Sequence, residues 1–264
     1  LKDELSKKRI GLDYLHYSNI FSLDLTNVET NGGHIFLNEN LNIILKNKDI
    51  LSFQEEKEMK KVFVVEDSFY GFRELNSQLI ERNAQLIFGI RLPVVQNNTD
   101  ECSSKLIFFA KNNEGAKQIK NLYTKTYCSD SQNLCMKDLE NKELSNVLIG
   151  VPFYDSFIYK NIFHFGMCEI DLRRFDHFFF QENNHHPFDS LISNQLKSIA
   201  EPQKIIQAKS IYYKNKEDVD AFQFYKSVCN RSGGRSPNYG SPQLEHFCSN
   251  EFCWESYLEN HVKA

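Results

Sequence analysis

Carboxylates, imidazoles, thiols and guanidinium groups stand in this chain at several spacings that could support chemistry. Glu66-Asp67 ends the apolar run Val62-Phe-Val-Val65, and paired carboxylates at a strand end suit acid–base work or a divalent cation. Adjacent strand residues point opposite ways, so solvated charges ahead of a helix are the simpler reading. His185-His186 before Pro187, with Glu182 nearby, has ligand chemistry, against the plainer reading of an exposed loop pair. Cys248 and Cys253, with His246 and His261 near them, lack the spacing of a zinc ribbon or finger, and Phe252 and Trp254 interleave as core residues. Asn230-Arg-Ser-Gly-Gly-Arg-Ser236 could set backbone N–H groups against a phosphate but lacks the Lys-Ser/Thr ending of a P-loop. The aromatic run Phe175, Phe178, Phe179 and Phe180 could stack bases, yet with only His177 interleaved as a candidate cation it reads as core.

The elements that must position these groups alternate in type. Val62–Val65, Leu86–Leu92, Lys105–Ala110, Asn146–Val151, Phe178–Phe180 and Lys204–Ala208 are apolar runs of strand length. Helices are expected over Tyr70–Asn83, over the stretch after Asn112 or Asn113, which cap it, and over Asp189–Ile199. In the second of these, Glu114 lies in the positive first turn, and Ile119, Leu122, Tyr123 and Thr126 recur at helical spacing. In the third, Leu191, Ile192, Leu196 and Ile199 are the expected buried stripe. Strand, helix, strand units of this length favour a parallel sheet or barrel over a sandwich. Asn27–Asn47, rich in Asn and holding Gly32 and Gly33, reads as a loop or insertion.

With 264 residues, 41% of them apolar, the chain can bury a sizeable core. A formal charge of −4 argues against a basic nucleic-acid clamp, so any DNA is contacted only indirectly. Seven scattered cysteines outline no disulfide framework, and reduced thiols in the cytoplasm are expected. No apolar run is long enough to span a bilayer. The missing initiator Met and the end at Ala264 suggest a piece of a longer product.

One string carries more than composition. Leu106-Ile-Phe-Phe-Ala-Lys-Asn-Asn-Glu-Gly-Ala-Lys-Gln-Ile-Lys-Asn-Leu-Tyr-Thr-Lys-Thr-Tyr127 resembles a strand and helix of the PHP (polymerase and histidinol phosphatase) domain that opens bacterial replicative DNA polymerase III alpha subunits. Phe69-Tyr-Gly-Phe-Arg-Glu-Leu75 followed by Ala84–Gly89 is similar to the family's turn, helix and next strand. Phe188 to Ile206 resembles its long helix leading to the last metal-bearing strand, and Lys216–Cys229 the helix after that strand. Asn238–Tyr257 resembles the exit into the polymerase palm. The order of these strings, over most of residues 62–257, is that of the family.

The resemblance implies a single PHP-like α/β domain over residues 1–264, a distorted (β/α)7, TIM-barrel-like ring of about seven parallel-type strands. Residues 236–264 would be its exit segment. Active members hold metal ions on His, Asp and Glu at strand ends. Here the first His motif falls on Tyr14–Ser18 and keeps at most His16; the second falls on Val64, Val65 and Glu66. A family Glu falls on Arg91, and the final Asn-Asp-x-His on Lys209, Ser210, Ile211 and Tyr212. His16, Val65, Glu66, Arg91, Ser210 and Tyr212 are therefore degenerate metal-site positions, with no catalytic residue and no cofactor expected. Such a domain would stabilise the rest of the polymerase alpha chain and dock the proofreading exonuclease subunit. The alternative is a stand-alone phosphoesterase binding Mn, Zn or Fe through His16, Asp67, Glu182 and His185. A third reading is an accessory protein of a mobile element.

Overall fold

The computed structural model describes residues 34–38, 47–69, 71–96, 104–128, 132–139, 144–153, 175–181, 189–219 and 249–261. Their strands are β1 (His34–Asn38), β2 (Lys61–Glu66), β3 (Gln85–Val95), β4 (Ser104–Ala110), β5 (Leu134–Cys135), β6 (Val147–Val151), β7 (His177–Gln181) and β8 (Ile205–Ser210). The α-helices are α1 (Asn47–Glu56), α2 (Phe72–Glu81), α3 (Asn113–Cys128), α4 (Asp189–Ile199) and α5 (Trp254–His261). This is a mixed α/β fold on a mixed sheet.

The pairings follow one another around the sheet. β2 pairs in parallel with both β1 and β3. β4 pairs antiparallel with β3 and β6. β6 pairs in parallel with β7, β7 with β8, and β8 with β1. β5 adds to the far end of β3. The expectation of parallel-type strands is thus corrected at β4. Only residues 96–103 separate β3 from β4, too few for the crossover of roughly a dozen residues that a parallel pair needs.

A second correction concerns Asn27–Asn47. Its centre, His34-Ile-Phe-Leu-Asn38, is not an insertion but a strand between β2 and β8. Asn-rich flanks and Gly32-Gly33 outweigh five strand residues in any local reading of composition.

Register and packing separate the two faces of the β2–β3–β4 region. Val65 lies opposite Gly89, and a Cβ at Gly89 would come within 2.6 Å of Phe109 and 2.8 Å of Ile107. Val65, Gly89, Ile107 and Phe109 therefore share one face. The other face carries Val64, Phe88 and Glu66, and there Phe88 packs edge-on against Phe72 of α2, with ring centroids 4.8 Å apart. Helices cover this second face.

Local chemistry explains the helix boundaries. Gly71 precedes α2 at φ 75°, a left-handed conformation that side chains disfavour. Asn112 caps α3: its Oδ1 accepts from the Gly115 N–H at 3.0 Å and its carbonyl from the Ala116 N–H at 3.0 Å. Ile119, Leu122 and Thr126 are buried as their spacing predicts, with Tyr123 partly so. The expected stripe of α4 is corrected at Leu191, which is 61% exposed, while Asp189, Ile192, Ser193 and Leu196 are buried. At about 100° per residue, Leu191 falls off the line through Ile192 and Leu196.

The chain beyond β8 is tied to residues 249–261. The Tyr212 N–H donates to the Phe252 carbonyl at 2.9 Å, and the Trp254 N–H to that of Tyr213 at 3.1 Å. The Trp254 ring stacks on Phe53 of α1 at 4.2 Å, and its Nε1–H donates to Glu56 at 3.1 Å. No helix among the described residues is long and apolar enough to cross a membrane.

Candidate functional site

An ion cluster forms where β2 ends beside β3 and β4. Asp67 follows the last residue of β2, and its Oδ1 accepts from Arg91 Nε at 2.8 Å while its Oδ2 accepts from Arg91 Nη2 at 3.1 Å. Lys105 Nζ donates to the same Oδ2 at 3.1 Å. Sheet register explains the meeting. Residue 67 continues the line of Val65 opposite Gly89, which places it level with Arg91; Arg91 lies opposite Ile107, and Lys105 is next but one on that face. The Arg91 side chain is only 1% exposed, against 27% for Asp67 and 28% for Lys105. A planar guanidinium forked onto a carboxylate is the strongest form of such a pair.

Glu66 points the other way, onto the helix-covered face, and is 1% exposed. Its Oε1 is buried without a hydrogen-bond partner. Burial, and then the Asp67 charge beside it, push its carboxyl well above the ordinary range, with Arg91 pulling in the opposite direction. The pair Glu66-Asp67 does divide between two faces, but the expectation of ordinary solvated charges is corrected. One carboxylate is locked between cations and the other is buried against helices.

Glu66 should make stability depend on pH. The folded chain keeps this proton after an unfolded glutamate, near 4.5, has released it, so stability falls as pH rises from there through the folded-state pKa. Glu66→Gln removes that loss. Urea midpoints of the variant and the parent should lie close together in acid and separate, with the variant higher, as pH approaches neutrality. Parallel curves would show that Glu66 ionises normally.

Tyr127, near the C-terminal end of α3, borders the cluster. Its hydroxyl donates to the Asp67 carbonyl at 3.3 Å and its ring lies 4.7 Å from that of Tyr123. Burial, Asp67 and Tyr123 push its pKa up to about 12 against the pull of Lys105 and Arg91, so the hydroxyl keeps its proton at neutral pH. Burial and Asp67 also raise that of Tyr123.

Of the residues singled out in the sequence, Glu66, Asp67 and Arg91 come together, with Val65 buried on the face of Asp67 and Arg91. Ser210 ends β8 opposite Ile35, while Glu66 lies opposite Asn38, three positions further along β1. Tyr212 is buried and packs on Phe252 at 5.6 Å. His16, Glu182 and His185 lie outside the described residues. Lys105 and Tyr127 were missed as site residues. The available signal was one lysine at the head of an apolar run that must be a buried strand.

These described residues do not suit a divalent cation. Both oxygens of Asp67 accept N–H bonds from cations, and an ion there would sit against the Lys105 ammonium. Among the described residues no three His, Cys, Asp or Glu side chains are grouped as ligands.

No protein-family model matches the chain, and no curated protein matches it. Among solved structures it is similar to a protein of Bifidobacterium adolescentis ATCC 15703 whose description assigns it as a metal-dependent phosphoesterase. The identity is 6%, the TM-score 0.41, and the match covers 68% of this chain and 87% of that one. At those values the likeness carries no argument about the site.

Proposed function

We propose that this chain is a PHP-like domain in which protein cations occupy the strand-end position where the family holds metal, and that it acts as a non-catalytic scaffold. The observation that carries this reading is the Asp67–Arg91–Lys105 cluster, a carboxylate satisfied by buried and half-buried cations at the end of β2. The cycle of strand pairings supports the distorted barrel that the resemblance implies. The finer reading, a domain of a DNA polymerase III alpha subunit that stabilises the polymerase and docks the proofreading exonuclease, rests on the residue strings quoted above. Residues 236–264 would then lead into the palm.

The second reading, a metal-dependent phosphoesterase, is the activity assigned to the Bifidobacterium protein. It needs ligands from residues outside those described, His16, Glu182 and His185 among them. One experiment separates the two. The purified chain, dialysed without chelator, is expected to hold substoichiometric Zn, Mn and Fe by plasma mass spectrometry and to show no chelator-sensitive hydrolysis of nitrophenyl phosphate. About two or more ions per chain, with hydrolysis that Mn restores, would establish the phosphoesterase reading instead. Capture of the exonuclease subunit by the full chain then tests the polymerase assignment.

A further inference from the structure

Residues 249–261 join two parts of the chain that the sequence keeps far apart. On one side Phe252–Glu255 run beside Tyr212–Lys214, the segment that leaves β8. The Tyr212 N–H donates to the Phe252 carbonyl at 2.9 Å, the Trp254 N–H to that of Tyr213 at 3.1 Å and the Glu255 N–H to that of Lys214 at 3.1 Å. The Lys216 N–H donates to Glu255 at 2.8 Å and its Nζ to Glu259 at 2.5 Å. On the other side, the Trp254 ring stacks on Phe53 of α1 at 4.2 Å, and its Nε1–H donates at 3.1 Å to Glu56, 198 positions away. Tyr257 stacks on the same indole at 4.9 Å. Trp254 is 3% exposed and Phe53 1%.

Both ties meet in one residue. The main chain of Trp254 is held by Tyr213 and its ring by α1, so the indole keeps its place on Phe53 only while the register beside Tyr212–Lys214 holds. Conversely, loss of the stack strands a large apolar ring at the centre of that register. Contacts that share one residue are coupled energetically, and the coupling is reciprocal. No residue of 249–261 belongs to the eight paired strands, so its release breaks no bond between them.

We propose that residues 249–261 are a clasp that closes as one unit on α1 and on residues 212–216, and that it opens ahead of the sheet. Breaking either tie releases the other. The open form turns the rings of Trp254 and Phe53 to water while β2, β3 and β4 stay paired.

The test uses the full chain. Trp254 is its one tryptophan, so the fluorescence reports the clasp directly. In a urea series the emission should shift to the red at a lower concentration than the loss of the strand circular dichroism. Native-state hydrogen exchange, read on peptides, should show the amides of residues 212–216 and 249–261 and those of α1 opening together, before those of β2, β3 and β4. Phe53→Ala should speed exchange in 249–261 about a hundredfold, and Trp254→Ala should speed it in α1 by a similar factor. Glu56 is exposed, so Glu56→Gln keeps the test open should either alanine variant fail to fold; about threefold faster exchange in both parts is expected of it. Fluorescence and circular dichroism changing together, with exchange in 249–261 no earlier than in the strands, would overturn the proposal. So would variants that speed exchange on their own side of the clasp and leave the other side unchanged.

Discussion

Replacing Gly115 by alanine is expected to destabilise the fold by about 3 kcal/mol or more, which for a chain of this size lowers the melting temperature by roughly 6–12 °C. A Cβ at this position would stand 2.0 Å from the Asn146 carbonyl oxygen and 3.3 Å from the Ala110 Cα. The obstacle is main chain at the start of β6, where the same Asn146 carbonyl accepts from the Lys111 N–H at 2.9 Å. It cannot rotate away as a side chain could. Gly115 lies in the first turn of α3, whose N-terminus is held by Asn112, and Asn112 is itself bonded to the Asn146 side chain at 2.8 Å. Relief would require α3 to lift from β4 and β6 and expose Ala116 and Ile119. Alanine is the better helix former by about 1 kcal/mol, so a stabilised variant would mean that α3 does not approach β6 this closely. Urea denaturation of the variant beside Ala116→Gly, which lowers helix propensity without adding a side chain, separates the steric effect from a general weakening of α3.

Loss of Arg91 is the second large effect. Arg91→Met keeps most of the buried stem but removes the fork from Asp67, and a cost of about 3–5 kcal/mol is expected because the carboxylate loses both guanidinium hydrogen bonds in a partly dry site. Glu66 loses at the same time the one cation that offsets its burial. Arg91→Lys should recover only part of the loss, since an ammonium cannot bond both carboxylate oxygens in the guanidinium geometry. Arg91→Met combined with Asp67→Leu should be more stable than Arg91→Met alone, because it removes the stranded charge. Chemical denaturation of the four proteins checks this. A loss below about 1 kcal/mol for Arg91→Met would place the pair with ordinary surface ion pairs and remove the basis for a cation-held strand end.

What the sequence determined by itself is what depends on neighbours along the chain. β2, α2, β3, β4, α3, β6 and α4 lie where apolar runs, caps and helical spacing put them, since each of those signals acts within a few residues. Asn112 is a cap in sequence and in structure. Where local signals conflict or are diluted, the reading failed. β1 is five residues inside an Asn-rich stretch, and Leu191 is an apolar residue that the helix turns outward.

The site required the tertiary fold. Asp67 meets Arg91 across 24 positions and Lys105 across 38, and the register of three strands brings Asp67 level with Arg91 and sets Lys105 two residues along the same face. The resemblance implied that Arg91 is a cation where the family has a carboxylate, and strand alternation implied that Glu66 and Asp67 face opposite ways. The sequence could not show that Arg91 is buried, that Lys105 completes the cluster, or that Glu66 is sealed beneath helices. Burial and partnership of a charge depend on which strands pair and in what register, and that is decided by the packing of the whole sheet against its helices. The direction of β4 was settled in the same way, by a connection too short to cross over.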